Sequence, residues 1–167
     1  MNPNRITQEK YYYQYRKTAM KLLIKPLSEK IGTEIPLPYY ATAGAAALDL
    51  HACTEGDTVI PPHGRVMIPT GIAAAIPVGH VGIMAVRSSM GVKNGINLAN
   101  GIGVIDSDYR GEMRVTLYNT TDTEYTVRPG DRIAQLMVVP VACPPIEVVD
   151  TLPETERGEG GFGSTGR

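Results

Sequence analysis

Between Met20 and about residue 150, turn chemistry recurs roughly every 8–12 residues, and no other feature restricts the fold so strongly. The turns are Pro61-Pro62-His63-Gly64, Pro77-Val78-Gly79, Tyr109-Arg110-Gly111 and Arg128-Pro129-Gly130-Asp131. Proline lacks a backbone donor and clashes inside a helix, so prolines this frequent break long helices. The runs between the turns are short and apolar or alternating: KLLIKPL (21–27), AALDLHA (46–52), RVMIPTGIAAAIP (65–77), HVGIMAV (80–86), EMRVTLYN (112–119), EYTVR (124–128) and RIAQLMVVPV (132–141). This spacing predicts an all-β domain, and by itself does not choose among sandwich, jelly roll and barrel. One short helix is expected after Arg87, with serine as its N-cap.

With 167 residues the chain has the length of one domain and can bury a hydrophobic core. No apolar run approaches the ~18 residues of a membrane span, and the start has no apolar signal region. Cys53 and Cys143 sit in no C-x-x-C pattern and are expected to be reduced, consistent with a cytoplasmic address. A formal net charge of -1 argues against a broad nucleic-acid-binding surface, while leaving room for one small anionic ligand. Residues 1–19 are polar and tyrosine-rich and are read as an N-terminal extension; 20–150 form the β domain and 151–167 a glycine-rich arm.

The chemistry-bearing residues lie at strand edges. His51, His63 and His80 lack zinc-site spacing, and neither a P-loop nor a G-x-S-x-G elbow is present. In RSSMGVKNG (87–95), Arg87, Ser88 and Ser89 stand where a strand runs into a helix, a place suited to a phosphate. In NGIGVIDSDYRGE (100–112), Asn100-Gly101 signals a hairpin and Gly103 permits a close backbone approach, ahead of Asp106, Asp108 and Tyr109. Gln135 and Asp49 interrupt apolar strands and need partners: another strand or a ligand for the amide, a basic side chain or a cation for the carboxylate.

Taken in order, AALDLHA, RSSMGVKNG, NGIGVIDSDYRGE, PGDRIAQL and RGEGGFGSTG resemble the five ordered motifs of the trimeric dUTP diphosphatase (dUTPase) family, over roughly residues 20–167. The resemblance implies a distorted jelly-roll subunit and a homotrimer with active sites at subunit interfaces. It also implies hydrolysis of dUTP to dUMP and diphosphate with Mg2+, which limits uracil in DNA and supplies dUMP for thymidylate synthesis. Asp106 would activate the water that attacks the α-phosphorus, and Asp49 would contact the metal through water. Arg87, Ser88 and Ser89 would bind phosphate, although Ser89 stands where the common pattern has glycine. Gln135 would reach a phosphate oxygen. Asn100, the main chain of Gly103, Val104 and Ile105, and the backbone near Arg114 would read the uracil edge, and Tyr109 would lie under the deoxyribose.

The resemblance also gives the glycine-rich end a purpose. The arm would close over bound nucleotide, with Phe162 stacked on uracil and Arg157, Ser164 and Thr165 around the γ-phosphate. Two rival readings share the fold: a dCTP deaminase, and a nucleotide-binding regulatory protein without turnover. The GVIDSDYRGE and RGEGGFGSTG stretches argue against the first, and the carboxylate at Asp106 against the second.

Overall fold

Along Glu112–Asn119, Met113, Val115, Leu117 and Asn119 are buried while the residues between them are not, the period of two that gives a strand one core face. The computed structural model describes residues 20–161. The proposed extension 1–19 and the arm residues Phe162, Ser164 and Thr165 lie outside them. The strands are β1 (Leu23–Pro26), β2 (Leu48–His51), β3 (Thr58–Ile60), β4 (Arg65–Ala75), β5 (His80–Val86), β6 (Ile96–Leu98), β7 (Gly103–Ile105), β8 (Glu112–Asn119), β9 (Tyr125–Val127) and β10 (Arg132–Pro140).

One four-stranded sheet has the order β1-β4-β8-β6 and the other β2-β10-β5-β7, with β3 and β9 forming a separate ribbon. No strand pairs with its neighbour in sequence, so every connection crosses from one layer to another. That is the jelly-roll solution. It revises the reading of Asn100-Gly101. The turn is tight, with Gly101 at φ +74° and its N–H donating to the Leu98 carbonyl at 3.0 Å, but it is not a hairpin. β6 before it pairs with β8, and β7 after it pairs with β5 in the other sheet.

Both sheets contribute to one core: Ile68, Met113 and Leu117 from one, Leu50, Met84 and Leu136 from the other, closed at one end by Ile60 and Val127 of the ribbon. Long β4 bends at Gly71, where the β4–β8 register shifts between Pro69 and Ala73. Gly71 has φ +67°, and a Cβ there would sit 2.6 Å from Cys53 Sγ, so the bend requires glycine. The fully buried Asn119 donates to the carbonyls of Ile60 and Thr123 and accepts from Thr121, tying β8 to the ribbon.

The expected helix is a single wide π-type turn, Ser89–Lys93, with Ser88 at its N-cap. Ser88 makes no side-chain cap bond, because its own backbone is already helical (φ -53°, ψ -40°) rather than in the extended region that capping uses. Both cysteines are free. Among the described residues, no helix is long and apolar enough to cross a membrane.

Candidate active site

The predicted residues fall into two groups at opposite ends of the β2-β10-β5-β7 sheet. The first is built around Asp49. Antiparallel pairing places Gln135 opposite Asp49 and Arg132 opposite His51, while β5 ends beside them and delivers Arg87. Asp49 Oδ1 accepts from Gln135 Nε2 at 3.3 Å and Oδ2 from Arg132 Nη1 at 3.1 Å, and Arg87 Nε lies 3.1 Å from Oδ1. The partners that Gln135 and Asp49 require are therefore largely each other and two guanidinium groups. The carboxylate is inside, with its side chain 4% exposed, against 23% for Arg87 and 43% for Arg132.

Two polar atoms in this group are buried without a hydrogen bond: Arg87 Nε, whose N–H is poorly aligned on Asp49 despite the short distance, and His51 Nδ1. His51 stacks on Tyr39, with ring centroids 6.4 Å apart. Burial pushes its pKa down, the charge of Asp49 opposes the shift, and Arg132 and Arg87 add to it. Ser88 and Ser89 follow Arg87 at the start of the helical turn.

The second group forms a cleft of about 510 Å³ where β7 leaves its sheet. Val104, Ile105 and Asp106 form one wall, Glu112 and Arg114 of β8 another, and Tyr109 the end. Asp106 is exposed. The Asp106–Gly111 turn is rigidly made. Tyr109 N–H donates to the Asp106 carbonyl at 3.2 Å, its hydroxyl donates to the Glu112 carbonyl at 3.0 Å, and Arg110 donates to the carbonyls of Ser107 and Tyr109. A Cβ on Gly111 would collide with the Tyr109 hydroxyl, so glycine here sets the ring position. Gly103 serves in the same way: a Cβ would meet Met84 at 2.7 Å, and its absence lets β7 lie against β5.

An adjoining recess of about 330 Å³ holds Asn100, Arg65 and Thr116 and shares Arg114 with the cleft. The β6–β8 ladder covers Leu117–Asn119, and Ala99 N–H on the Thr116 carbonyl continues it, so the β8 edge near Arg114 opens on this recess. Asn100 in the recess and Val104 and Ile105 of β7 in the cleft thus lie on either side of Arg114, which both cavities share. Arg157 is elsewhere: its Nε donates to the Gly160 carbonyl at 2.8 Å within its own turn.

Sequence reading missed Arg132 and Glu112, and set aside His51, a surface or turn histidine by that reading, which the fold buries in β2. Glu112 accepts from Gly71 N–H at 3.0 Å and from Arg114 Nε at 2.9 Å, linking the β4 bend to the cleft wall. The signal for it was alternation: position 112 begins the outward face of β8.

The donor set sets a limit on metal binding. Among the described residues no three His, Cys, Asp or Glu side chains cluster as a metal cage. Magnesium commonly takes one or two carboxylates together with phosphates and water. Asp49 already accepts two hydrogen bonds and faces two guanidinium groups; with about four lone-pair positions on a carboxylate, it keeps room for a water-mediated contact. It fits that role and not a place in a direct protein cage.

With this geometry in place, relatives can be compared. The dUTPase family model matches residues 33–166. The chain is 48% identical over 145 residues to the deoxyuridine 5'-triphosphate nucleotidohydrolase of Legionella pneumophila (strain Paris), covering 86% of this chain and 95% of that protein. It is 47% identical over 147 residues to the protein of the same name from Tolumonas auensis, covering 86% and 96%. Among solved structures, the Staphylococcus bacteriophage 80alpha dUTPase with dUPNHPP superimposes with a TM-score of 0.79 at 26% identity, over 89% of this chain and all of that one. The chain belongs to the dUTPase family.

Proposed function

We infer that this enzyme hydrolyses dUTP to dUMP and diphosphate, with Asp106 as general base, and that its active sites are assembled between three copies of the chain. The observation that carries the reaction is the cleft itself, where an exposed carboxylate stands beside a hydrogen-bonded tyrosine and next to the β7 main chain. Asp106 takes a proton from water; the water oxygen forms a bond to the α-phosphorus; the bond from that phosphorus to the bridging oxygen breaks, and diphosphate leaves. General-base assistance of this kind supplies about 10²–10⁴-fold, so orientation and charge stabilisation carry the rest. When bound to the substrate's phosphates, with Asp49 reaching it through water, Mg2+ would offset the repulsion between triphosphate and carboxylate.

Selectivity follows from fixed groups. Asn100 and the main chain of Gly103, Val104, Ile105 and Arg114 bond the uracil edge; a base with the wrong donors leaves these groups unpaired, a loss that can reach about 10⁴-fold. Tyr109, held by the Glu112 carbonyl, packs against the sugar face and leaves no room for a 2′-hydroxyl. Arg87, Ser88, Ser89 and Gln135 bind the phosphates.

Assembly from several copies is supported by distance. Ile105 pairs with Gly82, which puts Asp106 beside Val81, six residues from Arg87 along β5. At ~3.3 Å per residue that is about 20 Å. Reacting atoms must come within about 3–3.5 Å, and so wide a separation of the two anchoring backbones favours a site that draws Asp106 and Arg87 from different chains. The segment after β10 points the same way: Ile146 and Val148 are 95% and 94% exposed on a chain with no strand partner, apolar surface that another copy would cover. The arm, with Arg157, Phe162, Ser164 and Thr165, closes over the nucleotide and excludes water. Lowering dUTP in the cytoplasm would limit uracil incorporation into DNA and supply dUMP.

Diphosphate release, compared for dUTP, dTTP, dCTP and UTP, tests the reading. Release confined to dUTP and lost in Asp106→Asn is the expected result; equal release from dTTP or UTP would refute the base and sugar contacts.

A further inference from the structure

We propose that Glu112 is a positioning residue for the sugar side of the cleft, a brace that fixes where the Tyr109 ring stands and so helps the enzyme tell deoxyribose from ribose. The proposal deepens the dUTPase reading and rests on it.

The first observation is that three hydrogen bonds converge on Glu112. Its Oε1 accepts from the Gly71 N–H at 3.0 Å, its Oε2 from Arg114 Nε at 2.9 Å, and its main-chain carbonyl from the Tyr109 hydroxyl at 3.0 Å. The carboxylate is sheltered, with its side chain 18% exposed against 59% for Arg114. One residue thereby joins the β4 bend, the arginine shared by both cavities and the tyrosine at the cleft end.

The second observation is why the strand needs a brace there. Glu112 is the first residue of β8, and strand ends are where a sheet opens most readily. Pro69 pairs with Arg114 and Ala73 with Glu112, so three residues of β4 stand opposite Met113 alone. This bulge takes Gly71 out of the regular ladder while leaving it buried. A buried backbone N–H needs an acceptor, and the Glu112 carboxylate supplies it. The same bond pins the start of β8 to the bend.

The third observation is how that pin reaches the sugar pocket. The Tyr109 hydroxyl bonds to the carbonyl three residues further along the chain, across Gly111, where a Cβ would collide with it. The ring therefore stands where the Glu112 carbonyl holds it, and the carbonyl stands where the β8 end is pinned. A 2′-hydroxyl is excluded only while the ring stays close to the sugar. Oε2 meanwhile keeps the Arg114 guanidinium beside the β8 end, on the cleft wall it lines. Glu112 acts through these neighbours and takes no part in the proton transfer; it fixes them before the ligand arrives.

The test measures affinity for dUMP and UMP by calorimetry, with KM and kcat for dUTP, in the intact wild-type chain, Glu112→Ala and Glu112→Gln. Glu112→Ala is expected to lower the preference for dUMP over UMP about 10-fold, the worth of one charge-assisted hydrogen bond. KM for dUTP should rise by a larger factor than kcat falls. Glu112→Gln keeps an oxygen for Gly71 but loses the charge beside Arg114, and should restore part of the preference. A purely structural role would lower the melting temperature and leave the preference of the folded protein unchanged. That result overturns the proposal, as does an Ala variant that loses dUMP and UMP affinity equally. If Glu112→Ala does not fold, Glu112→Gln carries the comparison: a fall of about threefold is expected, and an unchanged preference overturns the proposal. A wild-type chain that binds dUMP no better than UMP would instead refute the sugar contact of Tyr109, and the brace with it.

Discussion

At the scale of single residues, two carboxylates of the same type stand in opposite surroundings. Asp106 is exposed in the cleft, free to meet water, whereas Asp49 is buried among donors, accepting from Gln135 and Arg132 with Arg87 beside it. Asp106→Asn should lower kcat by about 10²–10⁴-fold with little change in melting temperature, and a variant retaining most of its turnover would remove Asp106 from the chemistry. Asp49→Ala removes the buried acceptor shared by Gln135 and two partly exposed guanidinium groups and should cost about 1–3 kcal/mol in denaturant unfolding; a loss well below about 1 kcal/mol would contradict the arrangement of the group. His51 gives a pH dependence with a definite sign. Unfolded, it titrates near ~6.5; folded, its pKa is lower because of burial, with Arg132 and Arg87 adding to the shift against Asp49. Below about 6.5 the unfolded chain therefore binds a proton that the folded chain resists, and stability falls as pH falls through that window. Without added metal, wild type should lose melting temperature between about pH 7.5 and about pH 5.5, and His51→Gln should lose less. Parallel losses would show that His51 does not contribute.

At the scale of elements, the sequence revealed the long strands and also the short β1, β2 and β9, but concealed β3 and β6. The alternation of β8 and the run of β4 were legible because many residues repeat the pattern. β3 and β6 have three residues each, too few for a period to emerge, and exist because β9 and β8 pair with them. Tertiary pairing likewise turned the Asn100-Gly101 signal from a hairpin into a crossover. The polar residues at strand edges were legible as such; the approach of Arg132 to Asp49 was not, because its direction depends on a bulge that no local pattern announces. Glycines at the cleft are the sensitive points. Gly111→Ala should displace Tyr109, since the new methyl would contact its hydroxyl, and should raise KM for dUTP more than it lowers stability. If melting temperature collapses while KM in the residual folded fraction is normal, the turn is structural and does not shape the sugar pocket.

At the scale of the whole molecule, Asp106 and Arg87 lie a sheet's length apart within one chain, and the proposed assembly from several copies rests on that separation. The two sheets are closely interlocked, with every connection crossing between layers, so a hinge that brought Asp106 to Arg87 would have to break the β5–β7 pairing. Light scattering should therefore report a trimer, and truncation before Arg157 should leave that trimer folded with little turnover. The most direct measurement mixes two inactive variants, Asp106→Asn and Arg87→Ala, after unfolding and joint refolding. If sites draw Asp106 and Arg87 from different chains, random assembly recovers about a quarter of wild-type activity per chain, because each mixed trimer can pair an intact Asp106 with an intact Arg87. No recovery from a mixture that refolds into mixed trimers would mean that each chain builds its site alone, and the account of an interface-assembled dUTPase would be wrong.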